Sequence, residues 1–149
     1  MTRRQSAPEQ WFIFHAKPDP RLWSALSTLE LGSGVMLVTK LEAHERRRLH
    51  RLAALRSLSV VTEPSVARVH SMKELRQALL RRVPLIFLSP IHETATHPGW
   101  RPFPRMRAAT LARLGRRKVY ALGGMNAQKF ARIKRLGFQG WAGVSAFRT

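Results

Sequence analysis

The chain has 149 residues, the size of one domain, and 44% of them are hydrophobic, enough to bury a sizeable core and to argue against global disorder. It has no cysteine, which excludes disulfides, thiolate zinc sites and a cysteine nucleophile, and its formal net charge of +19 draws anions to its surface. No apolar run approaches a membrane span, and the "WFIF" behind the basic N-terminus is too short for a signal-peptide core, so a cytoplasmic protein without membrane association is expected.

Residues 1–10 read as a flexible basic N-terminus, and 11–149 as a single domain. "WFIFHA" (11–16) has the composition of a strand, and Asp19-Pro20 can open the helix "RLWSALSTLE". "GVMLVT" (34–39) is the next strand. "AHERRRLHRLAALR" (43–56) is helical, with Leu49, Leu52, Ala53 and Arg56 at helical spacing and arginines on the outer side. "LSVVT" (58–62) and "VARVH" (66–70) are strand candidates. "SMKELRQALLRR" (71–82) is a helix capped by Ser71, with Glu74 in the capping-box position. "PLIFLS" (84–89) is a buried strand, and "RMRAATLARLG" (105–115) a helix ended by Gly115. "KVYALGG" (118–124) is a strand running into a glycine pair. "NAQKFARIKRLG" (126–137) is a helix capped by Asn126, and "GWAGVSAF" (140–147) the last strand.

Strand–helix–strand order with short connections implies parallel strands and the α/β class. One link does not fit. Only "EPS" separates the candidates at 58–62 and 66–70, whereas neighbouring parallel strands need a crossover of about a dozen residues. Either the pair is not parallel, or one segment is not a strand, or the sheet carries a gap there. A full (β/α)₈ barrel takes about 250 residues, so a barrel here is an abbreviated TIM-type barrel lacking one βα unit.

Arginine outnumbers lysine 21 to 6 and is spread from Arg3 to Arg148. Its densest runs, Arg46-Arg47-Arg48 and Arg81-Arg82, fall in or at the end of helices, where a solvated face accounts for them. No zinc finger, RNP-like motif or helix-turn-helix accompanies the charge, so nucleic acid is not an expected partner.

Chemistry-bearing residues concentrate in two loops. "SPIHETATHPG" (89–99) holds two histidines, a glutamate and two threonines. A metal pair of His92 and His97 is disfavoured by their i,i+5 spacing and the lack of a third ligand. "VYALGGMNAQKF" runs a strand through Gly123 and Gly124 into a helix start. Glycine allows close backbone approach and helix-start N–H groups attract anions, so this turn is a candidate phosphate site, with Val144-Ser145-Ala146 after the last strand as its counterpart. The competing reading is a tight turn that needs glycine for geometry alone.

Four stretches in order, "RVHSMKEL" (68–75), "IFLSPIHETATHPG" (86–99), "VYALGGM" (119–125) and "GFQGWAGVSAF" (137–147), resemble the family of thiamine phosphate synthase and the thiazole tautomerase. The resemblance implies a βα barrel of thiamine biosynthesis that binds a thiazole phosphate at its carboxyl-terminal face. Gly123, Gly124, Val144 and Ser145 would cradle the phosphate, and Ser89, Thr94, Thr96 and His97 would form the substrate loop. Lys40 keeps the register of the family's strand-two pattern. The synthase is a transferase joining a pyrimidine diphosphate to the thiazole with Mg2+ held by aspartates. Here Glu63 is the remaining candidate metal ligand, and the only aspartate, Asp19, lies far from the expected strand ends, which argues against efficient synthase activity. The alternatives are a tautomerase, which needs no metal and for which the resemblance places the acid–base histidine at His70, and a non-catalytic relative that binds a phosphate ligand. Expected partners are therefore a thiazole phosphate and, if the synthase reaction is retained, a pyrimidine diphosphate. A homodimer is left open.

Overall fold

The structure is a computed structural model that describes residues 7–94 and 98–143. Its elements are β1 (Gln10–Phe14), α1 (Pro20–Ser27), β2 (Gly34–Leu37), α2 (Ala43–Arg56), β3 (Ser59–Thr62), β4 (Val66–Val69), α3 (Met72–Leu80), β5 (Leu85–Leu88), α4 (Arg105–Leu114), β6 (Val119–Leu122), α5 (Ala127–Ile133) and β7 (Gly140–Gly143). All seven strands are joined in parallel pairs, in the order β3-β2-β1-β7-β6-β5-β4. Both strand candidates around "EPS" are thus strands, and the sheet is interrupted between them.

The link between β3 and β4 is the three-residue 3-10 turn Glu63–Ser65, and the pairing registers show how far out of step the two strands are. On one flank Trp11 is level with Gly34, and Gly34 with Ser59. On the other, Gln10 is level with Trp141, then with Ala121, Leu88 and Val69. Val69 therefore lies level with Leu58, the residue before Ser59, eleven positions earlier in the chain. Level by level, β4 ends where β3 begins. The strands meet the seam out of step and form no ladder, because the shear of a curled sheet accumulates over its six pairings. The helix and strand that a full barrel would add belong at this seam.

Alternation along the strands builds three apolar layers. Trp11 and Ile13 of β1, Met36, Val61, Val66, Phe87, Tyr120 and Ala142 form one interior cluster to which every strand contributes, as a sheet curled on itself requires. The opposite parity faces the helices. Phe12, Phe14 and Val35 pack under Leu22 and Leu26 of α1 and Leu49 and Ala53 of α2. Val69, Leu88, Ala121 and Trp141 pack under α3, α4 and α5 through Leu75, Leu111 and Phe130.

Helix starts follow cap chemistry. Asp19 accepts from Leu22 N (2.7 Å), Ser71 from Glu74 N (3.2 Å) and Asn126 from Lys129 N (2.8 Å). The Glu74 carboxylate does not complete a reciprocal box, since it accepts from His70 N instead (3.1 Å). Gly115 ends α4 with a right-handed φ of −75°, so it is no left-handed cap. A Cβ there would run into the Val119 side chain, so close packing requires glycine. The helix from Asn126 tightens at its end into the 3-10 turn Lys134–Leu136. At the N-terminus, β1 begins at Gln10, and Glu9 already accepts from Trp141 N (2.8 Å) and pairs with Lys134 (3.2 Å). Among the described residues no helix is long and apolar enough to cross a membrane.

Candidate functional site at the carboxyl ends of the strands

His70 directly follows β4 and Ser89 directly follows β5, and both continue the interior parity of Val66 and Phe87. Because Val69 pairs with Leu88, the parallel ladder sets His70 beside Ser89. His70 Nδ1 lies 2.9 Å from the Ser89 carbonyl oxygen and 3.1 Å from Ser89 Oγ. A carbonyl oxygen only accepts, which assigns the proton of the neutral ring to Nδ1 and leaves the lone pair on Nε2. The Trp100 ring meets the imidazole edge-on at 4.8 Å. Ser89 is buried whereas His70 is exposed. A histidine of fixed tautomer is thus presented to solvent at the sheet's carboxyl end.

The glycine turn next to it is closely packed. Gly123 and Gly124 have φ of 103° and 60°, and a Cβ on either would press on the 90–93 segment. The carbonyls of Leu122, Gly123 and Gly124 accept in succession from Ile91 N (3.0 Å), His92 N (3.1 Å) and Lys129 Nζ (2.9 Å). Both glycines are therefore required by left-handed geometry and by the loop seated on them. Val144, Ser145, Thr96 and His97 lie outside the described residues, and Thr94 is half-buried at the end of the described part of the loop.

His92 Nε2 is buried and has no hydrogen-bond partner among the described residues. Burial first, then the charges of Lys129 and Arg132, hold this imidazole below its ordinary pKa. Unfolding restores the usual value of about 6.5, so below that pH the unfolded chain binds the extra proton. Stability should be full above about pH 6.5 and fall as the pH drops towards the lowered folded pKa. Urea midpoints measured at several pH values check this. In His92→Gln the acid-side slope should shrink, and an unchanged slope would remove His92 as its source.

The remaining predicted residues are spread along the same end. Lys40 and His15 are exposed beyond β2 and β1. Glu63 follows β3, where Arg68 pairs with it at 3.1 Å, both side chains largely in solvent. Among the described residues no three His, Asp or Glu side chains gather into a metal-holding set. A lone carboxylate already paired with arginine does not fit magnesium, which takes several hard oxygen ligands.

Two partners in this arrangement escaped sequence reading. Trp100 meets His70 across 30 positions of sequence, and no spacing in the sequence announces that. Lys129 could have been found. A helix capped at Asn126 puts it in the first turn, close behind the glycine pair.

Comparison with known proteins agrees with this architecture. The family model described as thiamine monophosphate synthase matches residues 67–147, the span that holds His70, Ser89 and the glycine turn. Thiamine phosphate pyrophosphorylase from Pyrococcus furiosus is similar in structure, with a TM-score of 0.72 over 97% of this chain and 89% of that one, at 14% identity. No curated protein matches in sequence. The abbreviated βα barrel and the family match over its second half agree with each other, and the chain belongs to the thiamine monophosphate synthase family.

Proposed function

We propose that the chain serves thiamine biosynthesis by binding a thiazole phosphate at the carboxyl-terminal mouth of the sheet, with His70 transferring a proton on that ligand. The observation that carries this reading is the Nδ1 contact of His70 with the Ser89 carbonyl, which leaves the lone pair on Nε2 of an exposed imidazole. Tautomerisation removes a proton at one ring position and returns one at another. A single imidazole serves as base and then as acid, with no net change in protons and no metal. Gly123 and Gly124, with Val144 and Ser145, would hold the phosphate through backbone amides, and Thr94, Thr96 and His97 would cover the ring. The uncompensated positive charge of the chain favours a phosphorylated ligand over a neutral one.

The synthase reaction is the weaker reading, because among the described residues no further carboxylates join Glu63 to hold magnesium on a diphosphate. Calorimetry with a thiazole phosphate tests the binding. One equivalent should bind, and Gly124→Val, which drives a side chain into the 90–93 segment, should weaken it by at least about tenfold, or 1.4 kcal/mol. Adding pyrimidine diphosphate and magnesium should give no thiamine phosphate. Steady turnover there would restore the synthase, and absence of thiazole phosphate binding would sink both readings.

A further inference from the structure

We infer that the outer surface between α1 and α2, on the helix side of the sheet, is a docking groove for an acidic amphipathic helix of a partner protein. A cleft of about 750 Å³ opens there. Its walls are two helical stripes. Arg48, Arg51, Leu52 and Leu55 stand at i, i+3, i+4 and i+7 on α2, and Trp23 and Ser27 at i and i+4 on α1. Side chains at this spacing normally turn towards a core, yet Leu55 is 80% exposed and Leu52 only partly covered. Two facing stripes with a furrow between them are the geometry that receives the apolar face of a third helix.

The charge of the rim selects the partner. Arg48 and Arg51 are exposed, and no carboxylate among the described residues lies within ion-pair distance of either. Asp19, the one acidic residue lining the cleft, is engaged in capping α1 by accepting from Leu22 N, and Glu45 accepts from Glu42 N. Arg48 Cζ lies over the Trp23 ring, 4.4 Å from its centroid, which orders its guanidinium in advance. A second copy of this chain would bring another net charge of +19 to the contact and is disfavoured. A nucleic acid would satisfy the arginines and leave Leu52 and Leu55 without a partner. Leucine flanked by glutamate satisfies both.

The test uses the full chain and two labelled helical peptides, one with leucines at i, i+3, i+4 and i+7 flanked by glutamates, the other identical but with glutamines. Anisotropy should show the glutamate peptide bound more tightly. Leu55→Asp and the pair Arg48→Glu with Arg51→Glu should each weaken it by about tenfold or more, while Arg76→Glu on α3 and Arg107→Glu on α4 change it less than about twofold. These positions are exposed, so the variants should keep the circular dichroism of the parent. Equal binding of the two peptides, equal loss from groove and remote reversals, or an oligonucleotide that binds through the groove arginines without regard to Leu55 would each overturn the proposal. So would a dimer in light scattering that Leu55→Asp dissolves, since the occupant would then be a second copy.

Discussion

His70→Ala is expected to lower thiazole tautomerase turnover by about 10²–10⁴-fold, the usual worth of a positioned acid–base group, while thiazole phosphate still binds. The expected split between turnover and binding follows from placement. In the proposed function imidazole Nε2 would be the group offered to the ligand, whereas the phosphate would sit at the glycine turn after β6, on a different strand. Ser89→Ala should cost far less, because the closer Nδ1 contact, at 2.9 Å, is to the backbone carbonyl, which survives any substitution, and only the hydroxyl at 3.1 Å is removed. Turnover and binding measured side by side on the two variants decide the matter. If His70→Ala turns over like the parent, His70 has no chemical role. If both variants lose binding, His70 holds the loop through Trp100 rather than moving a proton.

Elements whose signals are local were legible in the sequence. Asp19, Ser71 and Asn126 cap helices as their carboxylate, hydroxyl and amide chemistry suggests, and short apolar runs located all seven strands. The interruption of the sheet was one of three readings that the short "EPS" link left open. What the letters do not contain is the accumulated register. The eleven-position offset between Val69 and Leu58 is a sum over pairings of distant segments, and no single segment carries it. The same limit governs the site. A strand followed by Ser89 and another followed by His70 read as separate loops until β4 and β5 pair and bring Nδ1 to a carbonyl. The glycine pair was ambiguous for a different reason. Phosphate cradling and close loop packing both require a missing Cβ, and the seating of residues 90–93 accounts for the glycines without a ligand.

The interior cluster makes the largest stability effect predictable. Trp11 is 2% exposed and meets Phe87 at 6.3 Å and Tyr120 at 6.0 Å in edge-to-face contacts. It thereby ties β1 to β5 and β6 across the inside of the curled sheet, beyond its ladder neighbours β2 and β7. Trp11→Ala removes the indole from a space that the surrounding strands cannot easily collapse into, and should cost about 3–5 kcal/mol in urea unfolding. Gly34, level with Trp11 on β2, sharpens the test, since a Cβ there would run into the indole. Gly34→Ala alone should therefore destabilise by overpacking, by about 1–3 kcal/mol. Once Trp11 is alanine the clash is gone, and the added methyl fills part of the cavity. The double variant should be more stable than the sum of the single costs by about 1–3 kcal/mol, the coupling typical of side chains in direct contact. Additive costs would mean that Trp11 does not sit over Gly34, and the inward parity of β1, on which the placement of the mouth residues depends, would be wrong.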